Sequence, residues 1–320
     1  MDLSVIIPVY NAAALIDRCL DSVFSQQGEY QIEVICVDDG STDNSVELIK
    51  GRREQNIVLL QQENVGPAAA RNRGMRVAKG RYMAYLDADD YWLPGFIEKA
   101  ISFLDSHLEC IAVTVGQRHI TVSGTRVLPE ILKVEQLNIP SQVLEDFYSF
   151  WLQHNHVCTG SIVIRTDIAQ KTGGQREDLR ICEDLEFWAY LATYGKFGFI
   201  PEVLFVSDGS KVTETIGWVE KHIKRWNAAV PIACWEQRLV ERLSVALPKA
   251  YTKIRGNISQ NLSYSILLSK RYDLAREQVL KYGKDFPQGK MKTLLTNAAR
   301  CSLTWFVISR LLVYREYHRK

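Results

Sequence analysis

The chain has 320 residues, of which 47% are hydrophobic and 24% charged, and this globular composition excludes a wholly disordered, collagen-like or coiled-coil protein. Its seven cysteines are scattered without a Cys-x-x-Cys pair, which indicates neither a disulfide framework nor a zinc site. The net charge of +2 conceals an uneven distribution, because residues 1–215 hold 19 basic and 30 acidic residues whereas residues 216–320 hold 20 and 7.

Short β-rich runs alternate with helical patterns in the first part of the chain. The runs at residues 3–9, 32–37, 57–60 and 81–86 begin at intervals of roughly 25 residues, the length of a strand, a helix and two short loops. This alternation predicts an α/β fold with a parallel sheet and helices on both of its faces. After the first run, Asn11 is placed to cap a helix whose apolar residues recur at three- and four-residue spacing.

Acidic loops follow the second and the fourth run. Because parallel strands end at the same edge of a sheet, where open α/β sheets bind ligands, we expect these loops to lie in one cleft. Asp87 and Asp89 are separated by one residue and can both point into that cleft, where Mg²⁺ or Mn²⁺ would neutralise them. Asp38 and Asp39 add carboxylates whose clustering is unfavourable without a cation. A turn or helix cap remains the other interpretation of Asp-x-Asp alone.

The middle of the chain continues the mixed pattern. Alternating segments between residues 111 and 127, around Ser123-Gly124, predict a hairpin or a meander. A helix is expected over 142–152, a strand over 161–164 and an amphipathic helix from residue 183 to about residue 194. This last helix begins with the acidic pair Glu183-Asp184, which by itself is typical of helix capping, since the macrodipole stabilises carboxylates in a first turn.

The basic last third of the chain has an almost unbroken helical pattern from residue 217 onward, so we expect a boundary near residue 215. The segment 301–314 is mostly apolar with basic flanks; it is too short to span a bilayer but typical of an interfacial amphipathic helix. Packing against the first domain or another subunit is the alternative. No nucleic-acid fold signature accompanies the positive charge, so no nucleic-acid partner is expected.

Four short motifs occur in order along the first 90 residues. They are SVIIPVYN (4–11), VDDGSTD (37–43), ENVGPAAARNRG (63–74) and LDADD (86–90). Together they resemble the successive signatures of the large family 2 of inverting glycosyltransferases with the GT-A fold, which is active in bacterial polysaccharide and glycan assembly. The resemblance covers residues 1–105 closely and reaches more loosely to about residue 210.

This resemblance implies roles for particular residues. The nucleotide-sugar would be bound by Pro8, Tyr10, Asn11, Asp39, Arg71, Asp87 and Ala88. Asp89, together with Asp87, would bind Mn²⁺ or Mg²⁺. The Glu183-Asp184 pair is similar to the family's Glu-Asp motif, which makes Asp184 the expected general base and Glu183 a neighbour that raises its pKa by like-charge repulsion. The family often has a His after the last strand of this domain; this chain has none at 205–210, so a third contact to metal or phosphate is not identified.

The implied activity is transfer of a sugar from a nucleotide-diphosphate-sugar to a hydroxyl of a glycan or lipid-linked glycan, by one in-line displacement with inversion. UDP is favoured because the first strand and Asp39 are similar to a uracil pocket. Residues 1–215 would form the GT-A catalytic domain, with 1–105 binding the nucleotide-sugar and 106–215 forming the acceptor side, and residues 216–320 would form a basic helical extension.

We expect a cytoplasmic protein that is peripheral on the inner face of the membrane through the basic C-terminal helices, and its oligomeric state stays open. Two other functions remain as alternatives. One is a non-catalytic nucleotide-sugar-binding protein. The other is a metal-dependent phosphohydrolase, which would want Thr or Val where Tyr91 stands.

Overall fold

The computed structural model describes residues 1–26, 28–54, 56–133, 140–209, 218–243 and 247–318. By internal contacts the chain divides into two compact units. The first unit comprises Met1–Glu177 and Phe187–Val212, and the second unit comprises Asp178–Glu186 and Thr213–Lys320. The segment that carries the predicted general base, Asp184, therefore belongs to the second unit. The expected division into a catalytic domain before residue 215 and a basic helical extension after it stays a prediction.

A mixed sheet forms the centre of the first unit. Its strands within the described residues are β1 Leu3–Val9, β2 Ile32–Asp38, β3 Ile57–Gln61, β4 Tyr82–Tyr85, β5 Tyr91–Trp92, β6 Cys110–Thr121, β7 Gly124–Leu128, β8 Gln142–Val143, β9 Ile162–Arg165 and β10 Lys196–Asp208. The order along the sheet is β3-β2-β1-β4-β9-β6-β10-β5, with β7 paired to β6 and β8 paired to β10.

The four strands predicted first are confirmed, and they run parallel to one another in the order β3-β2-β1-β4. The expectation of a parallel sheet fails beyond them, because β9 lies between β4 and β6 and is antiparallel to both. Strand β9 has three buried apolar residues followed by an arginine, and a short apolar run carries no information about strand direction. The hairpin expected around Gly124 is formed by β6 and β7.

Helices of the first unit pack on both faces of the sheet, as the alternation predicts. They are α1 Ile16–Phe24, α2 Ser45–Lys50, α3 Pro67–Val77, α4 Phe96–Ser106, α5 Phe147–His154 and α6 Thr166–Lys171. On one face, Val5 and Ile7 of β1 share a buried cluster with Leu20 of α1 and Phe96 of α4. On the other face, Ile6 packs against Gly74 of α3, where a Cβ would approach the isoleucine to 2.4 Å.

Two helix starts differ from the prediction. Asn11 does not cap α1, which begins five residues later after Leu15; instead Asn11 has a φ of 50° and its side-chain oxygen accepts a hydrogen bond from Thr42 N at 2.8 Å. The helix expected from residue 142 begins at Phe147, because Asp146 caps it by accepting from Tyr148 N at 3.0 Å. In both places a polar side chain accepts a hydrogen bond from a backbone N–H, and the local sequence pattern did not identify this partner.

The second unit is helical, as the pattern after residue 217 predicts. Helix α7 Glu183–Leu191 contributes its first turn to this unit. The remaining helices are α8 Trp218–Asn227, α9 Ile232–Trp235, α10 Gln237–Leu243, α11 Lys249–Leu268, α12 Tyr272–Tyr282, α13 Lys290–Ala299 and α14 Ser302–Tyr317. Among the described residues, no helix combines the length and the apolar character needed to cross a membrane.

Helix α11 is the central element of the second unit. Tyr251, Ile258 and Leu262 are buried along it, and their spacing places them on one apolar side. At Gly256 the helix meets the turn Gly283–Asp285 so closely that a Cβ would lie 1.8 Å from the carbonyl oxygen of Asp285. Any larger residue at position 256 would therefore push this contact apart.

Candidate active site

Three loops of the first unit meet at one edge of the sheet. Strand β1 lies between β2 and β4, and all three are parallel, so the segments that follow them leave the sheet at the same edge. Backbone hydrogen bonds extend this pairing past the strands, from Asp39 N to Val9 O at 2.8 Å and from Leu86 N to Ile6 O at 3.0 Å. The structure therefore brings together the predicted loops 8–11, 38–43 and 87–90.

The loop after β1 carries three predicted nucleotide-binding residues. Pro8 lies within β1 opposite Val37, whereas Tyr10 and Asn11 are exposed. Asn11 N donates to Ser41 Oγ at 3.0 Å, so together with its bond to Thr42 it ties this loop to the loop after β2. The exposed ring of Tyr10 therefore lies at the edge of the sheet, next to Asn11, whose backbone and side chain are both hydrogen-bonded to the loop after β2.

Asp39 organises a further loop at the same edge. Its carboxylate is buried and accepts hydrogen bonds from Val65 N at 3.0 Å, Gly66 N at 2.8 Å and Gln62 Nε2 at 2.8 Å. Gly66 has a φ of 101° and directly precedes α3, a backbone conformation that glycine adopts without strain. Asp39 therefore positions the start of the helix that carries Arg71.

Arg71 connects α3 to the acidic loop after β4. Its guanidinium is buried and lies 2.6 Å from Asp87 Oδ1, and it also donates to Gln175 Oε1 at 3.3 Å. Charge-assisted bonds of this length are strong and directional. The ion pair therefore fixes the side chain of Asp87, which is half-buried, at the edge of the sheet, and Ala88 beside it is buried.

The next two carboxyl groups are held in a different way. The pKa of Asp89 is raised, chiefly by burial and then by the charge of Asp87. The pKa of Asp90 is raised to about 8 by burial and by the charges of both neighbours. Asp90 accepts a hydrogen bond from the backbone N of Asp208 at 3.2 Å. The loop thus brings three carboxyl groups together, and their mutual repulsion favours the neutral form of Asp90.

Arg18 and Asp208 complete this edge, and the sequence-based prediction missed both as site residues. Arg18 Nη1 lies 2.5 Å from Asp208 Oδ2, and Nη2 donates to the backbone oxygen of Asp89 at 2.6 Å. The guanidinium also lies over the ring of Tyr91, 4.6 Å from its centroid. Asp208 stands in the segment 205–210, where the resemblance noted above implies a His; that departure was the one signal in the sequence that pointed to this segment.

The fit of this edge to a divalent cation can be tested on the side chains themselves. Asp87 and Asp89 are half-buried oxygen donors two residues apart, and the raised pKa of Asp89 means that its anionic form lacks compensation. No group of three or more His, Cys, Asp or Glu side chains that could hold a metal occurs among the described residues. One or two carboxylates completed by substrate phosphates are the usual protein contribution to a Mg²⁺ site. The donor set therefore fits a shared protein–substrate site.

The second predicted centre lies in the first turn of α7. Glu183 and Asp184 are half-buried and follow Cys182, which has a φ of 58°. The carbonyl oxygen of Cys182 accepts a hydrogen bond from Trp235 Nε1 at 2.9 Å, and burial, then the charge of Asp184, raises the pKa of the Cys182 thiol to about 12. The start of the helix is thereby fixed within the second unit.

Glu186 in the same turn has a structural contact that the sequence-based prediction did not include. Its side chain is fully buried and accepts two hydrogen bonds from Arg238, from Nε to Oε1 and from Nη2 to Oε2, each 2.6 Å long. This bidentate geometry fixes both planar groups. Because the partners are 52 residues apart, no local pattern could have paired them.

Comparison with known proteins places these features in a family. The model of the family described as "Glycosyl transferase family 2" matches residues 4–173. The uncharacterized glycosyltransferase YibD of Escherichia coli is 47% identical over 98 residues, which are 30% of this chain and 28% of that protein. A poly(ribitol-phosphate) beta-glucosyltransferase of Bacillus spizizenii is 41% identical over 96 residues, 28% of this chain and 15% of that protein. The matched segments therefore span less than a third of these relatives' length.

Solved structures share the fold over nearly the whole chain. The structure of S. aureus TarS 1–349 in complex with UDP-GlcNAc has a TM-score of 0.67 and 18% identity, and the match covers 99% of this chain and 92% of that one. The mannosyltransferase PcManGT from Pyrobaculum calidifontis, in complex with GDP-Man and Mn²⁺, has a TM-score of 0.56 and 19% identity, over 99% and 87%. Since the family model covers more than half of the chain, the resemblance of the four motifs is confirmed: the chain belongs to glycosyl transferase family 2 and has the GT-A fold.

Proposed function

We propose that this protein transfers a sugar from a UDP-sugar to a hydroxyl of a glycan or lipid-linked glycan acceptor, with inversion at the anomeric carbon. The observation that carries the proposal is the pair of half-buried carboxylates, Asp87 and Asp89, at the edge where β1, β2 and β4 end in a family 2 chain. Two carboxylates that are separated by one residue in the same loop are suited to binding a diphosphate through a divalent cation.

The donor would be bound at this edge by the predicted residues. Tyr10 offers an exposed ring face on which a base can pack. Asp39 accepts three hydrogen bonds from the loop before α3, so its main contribution would be to hold that loop against the nucleotide. Pro8 and Asn11 would contribute the neighbouring segment after β1. UDP is the favoured nucleotide because TarS, which shares the fold, has been solved with UDP-GlcNAc and with UDP.

Asp89 and Asp87 would hold the cation, Mn²⁺ or Mg²⁺. When bound, the cation neutralises negative charge on the diphosphate leaving group. Arg71 would keep Asp87 in place through its 2.6 Å ion pair, and Arg18 would hold the backbone of Asp89 through its 2.6 Å hydrogen bond. Fixing the two carboxylates in advance reduces the reorganisation that binding would otherwise require. PcManGT, solved with Mn²⁺, supports this choice of ion.

Asp184 would act as the general base. In the displacement, the acceptor oxygen forms the new bond to the anomeric carbon, its proton passes to the Asp184 carboxylate, and the bond from that carbon to the diphosphate oxygen breaks. Glu183 is its neighbour in the chain and would favour proton uptake by like-charge repulsion. A single displacement of this kind inverts the anomeric configuration.

The test is an assay of donor turnover with a panel of UDP-, GDP- and dTDP-sugars in the presence of Mn²⁺, together with donor binding measured by calorimetry. We expect Asp184→Asn to lose turnover while UDP binding stays within about twofold, because the base acts only in the chemical step. Asp89→Ala should lose metal-dependent UDP binding. The matched control is Asp167→Asn on α6, whose side chain is exposed in an i,i+4 ion pair with Lys171.

The outcome that contradicts the proposal is specific. Near-normal turnover by Asp184→Asn would refute its role as base, and UDP binding that is unaffected both by Asp89→Ala and by removal of divalent cations would refute the metal site. Donor binding by the unaltered chain without hydrolysis or transfer, over the whole panel and with candidate acceptors, would instead support a nucleotide-sugar-binding protein.

A further inference from the structure

Helix α14 has apolar residues on two sides, and only one of them is buried. Trp305 and Leu312 pack into the second unit. The other side presents large apolar side chains whose exposed fractions lie between 46% and 73%: Leu303, Phe306, Val307, Leu311 and Tyr314. These five, called the α14 outer face below, are a third of the fifteen exposed large apolar side chains in the described part of the chain.

The outer face is continuous along the helix. At 3.6 residues per turn, positions 303, 306, 307, 311 and 314 fall within an arc of roughly 140°. Arg310 lies in the same arc, with its guanidinium 3.6 Å from the ring centroid of Phe306 and 4.5 Å from that of Tyr272. The face is therefore a strip of apolar and aromatic side chains with one central cation.

Hydrogen bonds from the buried side fix this orientation. Trp305 Nε1 donates to the carbonyl oxygen of Tyr272 at 3.0 Å, and the hydroxyl of Tyr317 donates to the carbonyl oxygen of Leu268 at 3.1 Å. Glu316 accepts from the hydroxyl of Tyr264 at 3.1 Å. Turning the outer face inward would break three buried or partly buried bonds, so its exposure is a stable feature of the fold.

An apolar groove adjoins the outer face. It lies between α13 and α14, has a volume of about 600 Å³, and Leu294, Ala298 and Ile308 form its apolar walls. Lys290 lines one end. The groove extends the apolar surface of α14 sideways onto a second helix of the same unit.

The segment that contains α13 and α14 is strongly basic, whereas the neighbouring helix α12 carries the exposed acidic residues Asp273 and Glu277. Residues 286–320 contain seven Lys and Arg and one acidic residue, Glu316, and Glu316 is buried and paired with Arg315 at 2.8 Å. Arg300, Arg310 and Arg315 are exposed. A partner with a negative surface is favoured, and a symmetric contact between two copies of this face would place like charges together.

We propose that the α14 outer face docks on an anionic lipid bilayer. The apolar side chains would enter the boundary between head groups and acyl chains, and the arginines beside them would contact lipid phosphates. Tyr314 is suited to this boundary because its ring is apolar and its hydroxyl is polar, and Phe306 adds a large apolar ring. The proposal is independent of the proposed sugar transfer, because it rests on the second unit alone.

The experiment is flotation of the full chain with vesicles of phosphatidylcholine alone or containing phosphatidylglycerol, at low and at high salt. We expect flotation with the anionic vesicles only, reduced by salt. Leu303→Ser/Phe306→Ser/Leu311→Ser removes apolar contacts without changing the charge and should lower the bound fraction roughly tenfold or more. Arg310→Gln/Arg315→Gln should lower it roughly tenfold.

Each variant has a matched control. Val240→Ser/Leu280→Ser removes exposed apolar side chains elsewhere on the second unit, and Arg126→Gln/Lys171→Gln removes two exposed charges from the first unit; both should float like the unaltered chain. Far-ultraviolet circular dichroism and thermal melting check that every variant is folded, and the charge variant tests the proposal even where the apolar one is unstable.

Three results would overturn the proposal. The first is absence of binding to anionic vesicles at low salt. The second is equal loss of binding in the outer-face variants and their controls, which would indicate nonspecific adsorption. The third is a concentration-dependent dimer, seen by sedimentation velocity, that the triple serine variant converts to monomer while vesicle binding is unchanged, which would assign the face to contacts between copies. Sugar transfer is not measured, so none of these results bears on the proposed function.

Discussion

The two units stabilise most of their buried carboxylates in different ways. In the second unit the buried glutamates are paired with arginines, in the pairs Glu186–Arg238, Glu236–Arg255 and Glu316–Arg315. In the first unit Asp208 is also paired with an arginine, Arg18. Other buried carboxyl groups of this unit bond to neutral partners: Glu33 accepts from the Ser4 hydroxyl and from Lys79 N, Asp39 accepts from two backbone amides and a glutamine, and Asp90 accepts from Asp208 N.

Under the proposed function, this difference favours the first unit as the place where a cation would bind. A backbone amide donates a hydrogen bond to a carboxylate but brings only a partial positive charge. An arginine brings a full positive charge, which neutralises the charge of the carboxylate. At the edge of the first unit, burial and then the charges of neighbouring carboxylates raise the pKa of Asp89 and raise that of Asp90 to about 8. Burial also raises the pKa of Glu236 in the second unit, although the charge of Arg255 acts in the opposite direction. The acidic excess of residues 1–215 thus includes a cluster of carboxyl groups at this edge of the sheet, whose anionic forms the proposed metal–diphosphate group would favour.

The largest loss of stability is expected in the second unit. Arg238→Met leaves the fully buried Glu186 without its bidentate partner and should lower the free energy of unfolding by about 3–5 kcal/mol. Urea denaturation measures this. Lys171→Met breaks the exposed pair with Asp167 and, as the control, should change the stability by less than about 0.5 kcal/mol. A loss below about 1 kcal/mol for Arg238→Met would mean that the helical unit does not depend on this arginine.

In the first unit the corresponding test is Asp39→Ala. It leaves Val65 N, Gly66 N and Gln62 without their acceptor, and because water can reach part of this loop we expect a loss of about 2–3 kcal/mol. Added Mn²⁺ should not restore the stability, since Asp39 acts on the loop and not on the cation. Asp167→Ala serves as the exposed control. Full rescue by Mn²⁺ would instead place Asp39 among the groups that depend on the metal.

The sequence allowed the first unit to be predicted further than the second. Four apolar runs at regular spacing predicted β1 to β4, and because parallel strands end at a common edge, the meeting of the loops at Asp39 and Asp87 followed directly. The strand expected over 161–164 is confirmed as β9, but its antiparallel direction could not be predicted, since its pairing is set by chain connections outside the run. The capping role expected of Asn11 was wrong because Thr42, 31 residues away, binds its side chain instead.

The ionic contacts were the part that local patterns could not supply. Arg18 and Asp208 are 190 residues apart, and Glu186 and Arg238 are 52 apart. The local sequence around an arginine on a helix does not show whether its side chain is solvated or ion-paired. Only the packing of elements that are distant in the chain determines which of the two occurs. The motif residues, Arg71 among them, were identifiable because their family pattern is local, whereas Arg18 and Arg238 lie outside the motifs and were not identified.

The first unit also buries a basic side chain, His156. His156 is fully buried beside Phe147, Phe150 and Phe199, with ring centroids 5.2, 4.8 and 6.2 Å away, and neither ring nitrogen has a hydrogen-bond partner among the described residues. Burial, and then the nearby His154, lower the pKa of His156 to about 3. Its contribution to stability is therefore present above about pH 6.5 and is lost as the pH falls toward 3.

The expected loss between pH 7 and pH 5 is about 2 kcal/mol, because the unfolded chain gains a proton in this range and the folded chain does not. Urea denaturation of the unaltered chain and of His156→Phe at both pH values measures it, and the difference between the two pH values should shrink by this amount in the variant. An unchanged difference would show that the histidine is protonated in the folded state, which would require a partner for its charge.

The smallest effect is expected where an arginine of the second unit is itself exposed. Arg315 pairs with Glu316, but its side chain is 59% accessible whereas that of Arg238 is 19% accessible. Glu316 also keeps its hydrogen bond from Tyr264 when Arg315 is removed. Arg315→Gln should therefore lower the stability by less than about 1 kcal/mol, measured by urea denaturation beside Arg238→Met. If the two losses were equal, burial of the glutamate alone would determine the dependence on arginine, and exposure of the arginine would not matter.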